Sequence, residues 1–301
     1  MDAKKRYLFK DRLVKGITTD GHFRVSVVKT TEVVRTAQSN HTLSPLATVL
    51  LGRTLTGALL LASDLKGEER IRLQLQGNGP IETIIAEANA VGEARGYVHN
   101  PHAELDFSSD NPQIGDGLGI GLFTFSKTLY NEAQPITGTV ELKSGNIAED
   151  IAFYLFQSEQ IPSAITLDVG LDEAGQVTHA GGILIQALPG APEDQIEQLE
   201  GNLQQLIPLA GHFANDEYID ELMKKVLYPL ESKELNRVPV HFFCRCTKDR
   251  FTDALALLNL HDLEAMKDAD QELVCHYCSR KYVIPSAEIR QIVKDMRTKM
   301  N

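Results

Sequence analysis

The chain has 301 residues and 43% hydrophobic content, enough to bury a substantial core and to divide into domains. Its 41 acidic residues against 30 basic ones leave a formal charge of −11, which argues against nucleic acid as a partner. No run of 18 apolar residues occurs and Met1-Asp2-Ala3-Lys4-Lys5-Arg6 does not open a signal peptide, so the expectation is a cytosolic, reduced-thiol protein without a membrane partner.

Taken in order, Phe23 to Val28 is a β-branched run that predicts an early strand. Thr30 or Thr31 is placed to cap a helix over Glu32–Gln38. Ser44-Pro45 opens a longer helix, with Leu46, Val49, Leu50, Leu55, Leu59 and Leu60 at helical spacing to about Ser63. Gly52 and Gly57 inside it predict close packing. From Arg70 the period changes to two: Ile71, Leu73 and Leu75 alternate with Arg72, Gln74 and Gln76. That strand ends at Gly77-Asn78-Gly79-Pro80, a hairpin turn; it lacks the Lys-Ser/Thr and following helix of a phosphate loop. Ile81–Ala88 and Ala94–Val98 continue the meander. Gly115, Gly117, Gly119 and Gly121 alternate with Ile114, Leu118, Ile120 and Leu122, which predicts a strand with one bare face, covered by a bulky neighbour in preference to another chain segment. Ile136–Leu142 is a further strand. Asn146 caps a helix over Ile147–Ser158, and Ile165–Leu171 with Val177–Leu188 form a hairpin around Asp172-Glu173-Ala174-Gly175. Helices and strands mix without βαβ alternation, so the expected class is α+β with antiparallel sheets.

After Pro189-Gly190-Ala191-Pro192 the character changes. Gln195–Leu206 and Glu217–Leu227 read as amphipathic helices, with Ile196, Leu199, Leu203 and Leu206 on one stripe and Ile219, Leu222, Met223 and Val226 on the other. Both are acid-rich: Glu193, Asp194, Glu197 and Glu200, then Asp216, Glu217, Asp220 and Glu221. They are either an ordinary helical connector or a marginally stable linker that folds only while it has neighbours to pack on. The expected division is an N-terminal α+β domain over 1–189, an acidic helical linker over 190–237 and a small C-terminal domain over 238–301.

In that last segment lie all four cysteines, within a 35-residue window: Cys244-Arg245-Cys246, then 28 residues, then Cys275-His276-Tyr277-Cys278. Two close pairs around a helix-sized spacer predict a four-thiolate zinc site. Four thiolates close the shell, leaving no position for water or substrate, so a structural zinc knot is one reading. The C-x-C half favours a second. Were zinc lost, Cys244 with Cys246 and Cys275 with Cys278 are the disulfides that close the smallest loops, and a C-x-C disulfide is strained and readily reduced. Thr247 is placed to cap a helix carrying Phe251, Ala254, Leu255 and Leu258. A short helix covers Leu263–Lys267, short strands Leu273–Cys275 and Lys281–Ile284 flank the knuckle, and Ser286 caps a last helix with Ile289, Ile292, Val293 and Met296. About 60 residues make a small core, so zinc is expected to supply much of this unit's stability. His241, His261 and His276 lie nearby in sequence and, with four thiolates present, are read as surface residues or as supports around the ligands rather than as ligands.

Phe243-Cys244-Arg245-Cys246-Thr247 with Arg250, and Cys275-His276-Tyr277-Cys278 with Tyr282, resemble the redox-regulated bacterial chaperones of the 33-kilodalton heat-shock protein family. The stretch Tyr154-Leu155-Phe156-Gln157-Ser158-Glu159-Gln160-Ile161-Pro162 is similar to that family, as are Ala180 to Pro189, Gly77-Asn78-Gly79-Pro80 and Arg95-Gly96-Tyr97-Val98. One departure is Arg245, where the family has an acidic residue. The resemblance implies an ATP-independent holdase, active during oxidative stress, whose linker unfolds on oxidation, whose active form is a homodimer and whose partners are unfolding client proteins. No catalytic residues are expected; G-x-S-x-G, H-E-x-x-H and nucleotide fingerprints are absent from the sequence.

Two other classes compete. A thiol–disulfide oxidoreductase would use Cys275 and Cys278, but this C-x-x-C lacks a βαβ context and is matched by a second pair. A zinc-ribbon nucleic-acid module would use Arg245, Lys248, Arg250, Arg280 and Lys281, against the acidity of the rest of the chain.

Overall fold

The computed structural model describes residues 10–105, 113–132, 134–214 and 218–300. The chain divides into two compact units, Met1–Phe243 and Cys244–Asn301.

The first unit holds two sheets. Strands β1 (Arg12–Thr18), β2 (Phe23–Lys29), β8 (Ser163–Leu171), β9 (Val177–Ala187) and β10 (Ser232–Pro239) form a five-stranded sheet in the order β10-β1-β2-β9-β8, every pair antiparallel. Strands β3 (Arg70–Gly77), β4 (Thr83–Asn89), β5 (Glu93–Val98), β6 (Gly121–Thr128), β7 (Ile136–Glu141) and β11 (His241–Phe242) form a second sheet in the order β11-β5-β4-β3-β6-β7, antiparallel except for β11 on β5. The expected α+β class with antiparallel sheets is what the chain adopts.

Helix α1 (Thr31–His41) and helix α2 (Pro45–Ala62) follow β2. α2 is long and apolar enough to cross a membrane by length and composition, yet 83% of it is buried inside the protein. An all-round apolar helix needs cover on every side, and α2 obtains it from both sheets: Leu13, Val28, Leu167 and Leu184 of one sheet and Ile71, Leu73, Leu75 and Ile84 of the other share its core. Ser44 caps it as expected, accepting from the Ala47 N–H at 3.2 Å. A Cβ on Gly52 would lie 2.8 Å from Val34, and one on Gly57 2.5 Å from Ile151, the close packing expected of both. The cap of α1 differs from expectation. Thr30 makes no side-chain cap bond; its hydroxyl pairs with Thr56 at 2.7 Å. The Asp11 carboxylate instead accepts from the Glu32 and Val33 N–H groups at 2.6 and 2.9 Å.

The glycine run also differs. Ile114–Gly117 is a 3-10 turn, and the strand begins only at Gly121. A Cβ on Gly121 would lie 1.9 Å from the Gln76 carbonyl oxygen and one on Gly77 2.0 Å from that of Leu118. At Gly121 backbone lies against backbone, so another chain segment covers that position, whereas at Gly117 the expected bulky neighbours are present, a Cβ there lying 2.7 Å from Leu50 and 3.1 Å from Leu46.

β1 and β2 show how the five-stranded sheet serves two cores. Along β1, Leu13 faces the α2 core and Val14 the opposite side; their partners Val28 and Val27 on β2 do the same, as the period-two geometry requires. That opposite side is apolar: Val14, Phe23, Val25, Val27, Ile183 and Ile185. Helices α4 (Glu193–Gln205), α5 (Ala210–Ala214) and α6 (Ile219–Leu227) lie over it, after α3 (Ile147–Gln157) and the β8–β9 hairpin. Leu199, Leu203, Leu206, Leu209, Phe213, Ile219, Leu222, Met223, Val226 and Leu227 complete the second core. The two predicted amphipathic stripes are therefore packing faces. Asp216 and Glu217, assigned to the acidic surface of the second helix, lie outside the described residues.

The second unit contains α7 (Lys248–Leu255), α8 (Leu260–Met266), a hairpin of β12 (Gln271–Val274) and β13 (Lys281–Ile284), and α9 (Ser286–Met300). Its buried apolar side chains are Leu255, Leu263, Ile284, Ile289 and Val293.

Candidate metal centre

Two short segments bring the four cysteines together. Cys244 and Cys246 lie on irregular chain just before α7, and Thr247 caps that helix, its Oγ1 accepting from the Arg250 N–H at 3.3 Å. The same arginine returns to the loop, donating from Nη1 to the Arg245 carbonyl oxygen at 2.9 Å. Cys275 and Cys278 sit in the turn between β12 and β13. The Cys275 N–H donates to the Arg280 carbonyl at 3.0 Å, closing the turn. The Cys278 and Ser279 N–H groups both donate to the Cys275 carbonyl, at 3.3 and 2.8 Å. Ser279 takes the left-handed conformation, φ 54°, that lets the chain reverse here.

All four sulfurs lie within 4.8 Å of one another. Across the two pairs, Cys244 lies 3.7 Å from Cys275 and Cys246 lies 3.4 Å from Cys278. A tetrahedral ion bonded at about 2.3 Å to each sulfur would hold the sulfurs roughly 3.8 Å apart, so the donor set and its size fit a metal ion. Cys275 and Cys278 are buried, whereas Cys244 and Cys246 are half-exposed; all four are free thiols. The arrangement thus has a protected pair and an accessible pair.

Environment sets Cys246 apart from the buried pair. Burial pushes both Cys275 and Cys278 up, more strongly at Cys278. Burial also opposes ionisation of Cys246, but hydrogen bonds with Tyr282 and the other three cysteines outweigh it and bring this thiol down to about 7. The Tyr282 hydroxyl lies 3.3 Å from Cys246 Sγ and 2.9 Å from its carbonyl oxygen. Tyr282 stands on β13 and is fixed by Phe251 of α7, with ring centroids 5.1 Å apart. The sequence offers Tyr282 only as part of the family resemblance; nothing in the spacing sets a tyrosine four residues past Cys278 against Cys246. None of His241, His261 and His276 joins the sulfur group. His261 is 94% exposed beside Asp262, and His241 packs edge-on against Phe243.

An α+β body joined to a small unit that gathers on four sulfurs defines a thiol-centred protein with a candidate metal site and a core too small for the unit that carries it. The comparisons make this particular. The family model described as Hsp33 protein matches residues 11–285. The 33 kDa chaperonin of Desulforamulus reducens is 38% identical over 293 residues, covering 96% of this chain and 99% of that one. The 33 kDa chaperonin of Thermus thermophilus is 39% identical over 300 residues, covering 95% and 87%. The crystal structure of the 33 kDa chaperonin (heat shock protein 33 homolog) of Thermotoga maritima superposes with a TM-score of 0.89 at 31% identity, covering 96% of this chain and 99% of that one. The chain belongs to the Hsp33 family.

Proposed function

We propose that this protein is an ATP-independent holdase chaperone held inactive by zinc on Cys244, Cys246, Cys275 and Cys278 and switched on by oxidation. The observation that carries the reading is the pairing of the four-sulfur cluster with a core of only five buried apolar side chains among the described residues of the second unit. Binding of zinc to such a site contributes on the order of 10–16 kcal/mol, comparable to the whole stability of a small domain. Loss of the ion therefore unfolds the unit that holds it.

The chemistry of the switch belongs to the cysteines. Peroxide oxidises one thiolate to a sulfenic acid; the second thiolate of the pair attacks that sulfur and expels hydroxide, which leaves as water. Each pair thus gives two electrons to one peroxide, so two peroxides convert four thiolates to two disulfides. The half-exposed Cys244 and Cys246 are the first targets. We assign the disulfides to Cys244–Cys246 and Cys275–Cys278, the bridges that close the smallest loops. They remove every ligand and leave no cross-link between the halves of the unit, whereas a Cys244–Cys275 bridge would staple it together.

The apolar side of the five-stranded sheet supplies the client surface. Its cover is made by the helices between residues 193 and 227, of thirteen, five and nine residues, too short to be stable alone. Once undocked they leave Val14, Phe23, Val25, Val27, Ile183 and Ile185 open to unfolding clients. The active form is a homodimer, and the protein works where thiols are normally kept reduced, as in the cytosol.

The test follows zinc, thiols and client together. Reduced protein is treated with peroxide at raised temperature beside an unfolding client. Zinc release with loss of four thiols, followed by suppression of client aggregation, supports the reading. Zinc retention, or release without client protection, overturns it.

A further inference from the structure

The outer edge of β1 is covered by a strand poorly matched to it. β10 presents mostly exposed side chains, and its extra residue Leu235 has no partner, so the register slips between Lys15 and Gly16. On the face under the linker helices, β10 sets Arg237 opposite Val14 and Glu234 opposite Gly16. Arg237 forks to Asp220 of α6, with Nη1 to Oδ2 at 3.2 Å, and to Glu234, with Nε to Oε1 at 3.1 Å. Residues 232–237 therefore depend on two attachments, the backbone ladder to β1 and a charged clasp to α6. Only from Val238, which packs against the α2 core, is the strand anchored by apolar contact.

When α6 undocks, the clasp loses Asp220 and the ladder alone holds this half of β10. The edge that would open is built to accept any extended chain. The Thr19 N–H donates to the Glu231 carbonyl at 2.9 Å and the Asp11 carbonyl accepts from the Val240 N–H at 3.2 Å. Alternation along β1 points the Lys15 and Ile17 N–H groups the same way. Beside this edge lies the apolar side of the same sheet, with Val14 and Val25 on adjacent strands. Backbone bonds are blind to sequence, as a chaperone for many clients requires, and an incoming strand with apolar residues at alternate positions would bury them where β10 offers Arg237 and Glu234.

We propose that the edge of β1 from Lys15 to Thr19 is a client-docking edge, vacated by β10 on activation and filled by an extended segment of the unfolding client as an added strand. This rests on the holdase reading above.

The test is amide hydrogen exchange of the full-length protein, reduced and zinc-loaded, then oxidised, then oxidised with reduced carboxymethylated α-lactalbumin as a permanently unfolded probe. Exchange at Lys15, Ile17 and Thr19 is expected to speed up by about tenfold or more on oxidation and to slow again on probe binding, with β8, the opposite edge, unchanged. A photoreactive residue at Thr19 is expected to capture the probe in preference to one at Glu141 on the outer strand of the other sheet. Amides that stay slow on oxidation show that β10 never leaves, and amides that stay fast with probe bound show that the apolar face alone holds it; either result overturns the proposal. Failure of the oxidised protein to bind the probe at all overturns the holdase reading itself, and is seen separately by co-sedimentation.

Discussion

If the linker is a cover and not a permanent part of the body, weakening its seat should activate the protein without oxidant. Leu222 of α6 is 0% exposed and sits in the core shared with Val14, Phe23, Val25 and Val27. Replacing it by alanine removes three carbons and leaves a cavity, at a cost of about 3 kcal/mol within the usual range of 2–5. That lowers the docked-to-undocked ratio of the linker by about 150-fold. Because α4 and α6 have thirteen and nine residues and no stability of their own to fall back on, the loss appears as local opening. The cysteine unit is untouched, so zinc should remain. The measurements are amide exchange of α4 and α6 and suppression of client aggregation, both in reductant with zinc bound. Leu222→Ala is expected to speed linker exchange by roughly two orders of magnitude and to confer client protection without peroxide. Leu55→Ala, equally buried in the α2 core, should cost similar global stability with no such gain. Fast linker exchange without client protection would refute the assignment of the sheet face as client surface; unchanged linker exchange would refute the idea that the linker opens on its own.

Cys278→Ser removes one of four sulfurs; zinc content should fall well below one per chain, and residues 244–300 should become protease-sensitive while the first unit keeps its melting transition. Burial raises Asp11 from 3.8 to about 7, the hydrogen bonds from Val33 and Glu32 only partly opposing it. A carboxyl raised on folding contributes stability that is full below about 4 and is lost as the pH rises through about 7. Asp11→Asn, which keeps an oxygen for the α1 cap, should therefore gain stability relative to the natural protein between pH 5 and 8, read from denaturant midpoints; a flat difference would show that Asp11 does not titrate in this range.

What could be read beforehand followed from strong local signals. The central helix declared itself through Ser44-Pro45 and an apolar period of four turns, and the four cysteines through spacing alone. What could not be read depends on distant partners. β1 carries no clear strand pattern because Lys15 and Gly16 interrupt its apolar run; Lys15 sits there because it reaches the Ser63 carbonyl at 3.2 Å and pairs with Asp64 beyond α2. β10 has the sequence Ser-Lys-Glu-Leu-Asn-Arg-Val-Pro, with no strand propensity to see; the ladder to β1 and the Arg237 clasp make it a strand. β11 is two residues long and exists only because β5 offers an edge. The glycine run misled because alternation of Gly with Ile and Leu imitates a strand, while its real cause was close passage of two backbones at Gly77 and Gly121.

The two cores of the first unit differ in a way that bears on the switch. The core around α2 is enclosed by both sheets, and its members come from segments before Gly190 except for the last residues of the unit, such as Val238, Val240 and Phe242. The second core is assembled from one sheet face and from helices that follow Gly190. On the proposed reading, undocking of the helices after Gly190 would open the second core and leave the first closed, so the body would survive activation. The strand β10 joins these regimes: residues 232–237 hold by ladder and clasp, and Val238 onward holds by burial. On the proposed reading, the junction at Val238 would let the cover leave without freeing the chain's anchor to the body. A substitution that weakens that anchor, Val240→Ala at a residue 5% exposed, should accordingly lower the global melting temperature of the reduced protein without conferring client protection, and a gain of protection would show that the two regimes are not separate.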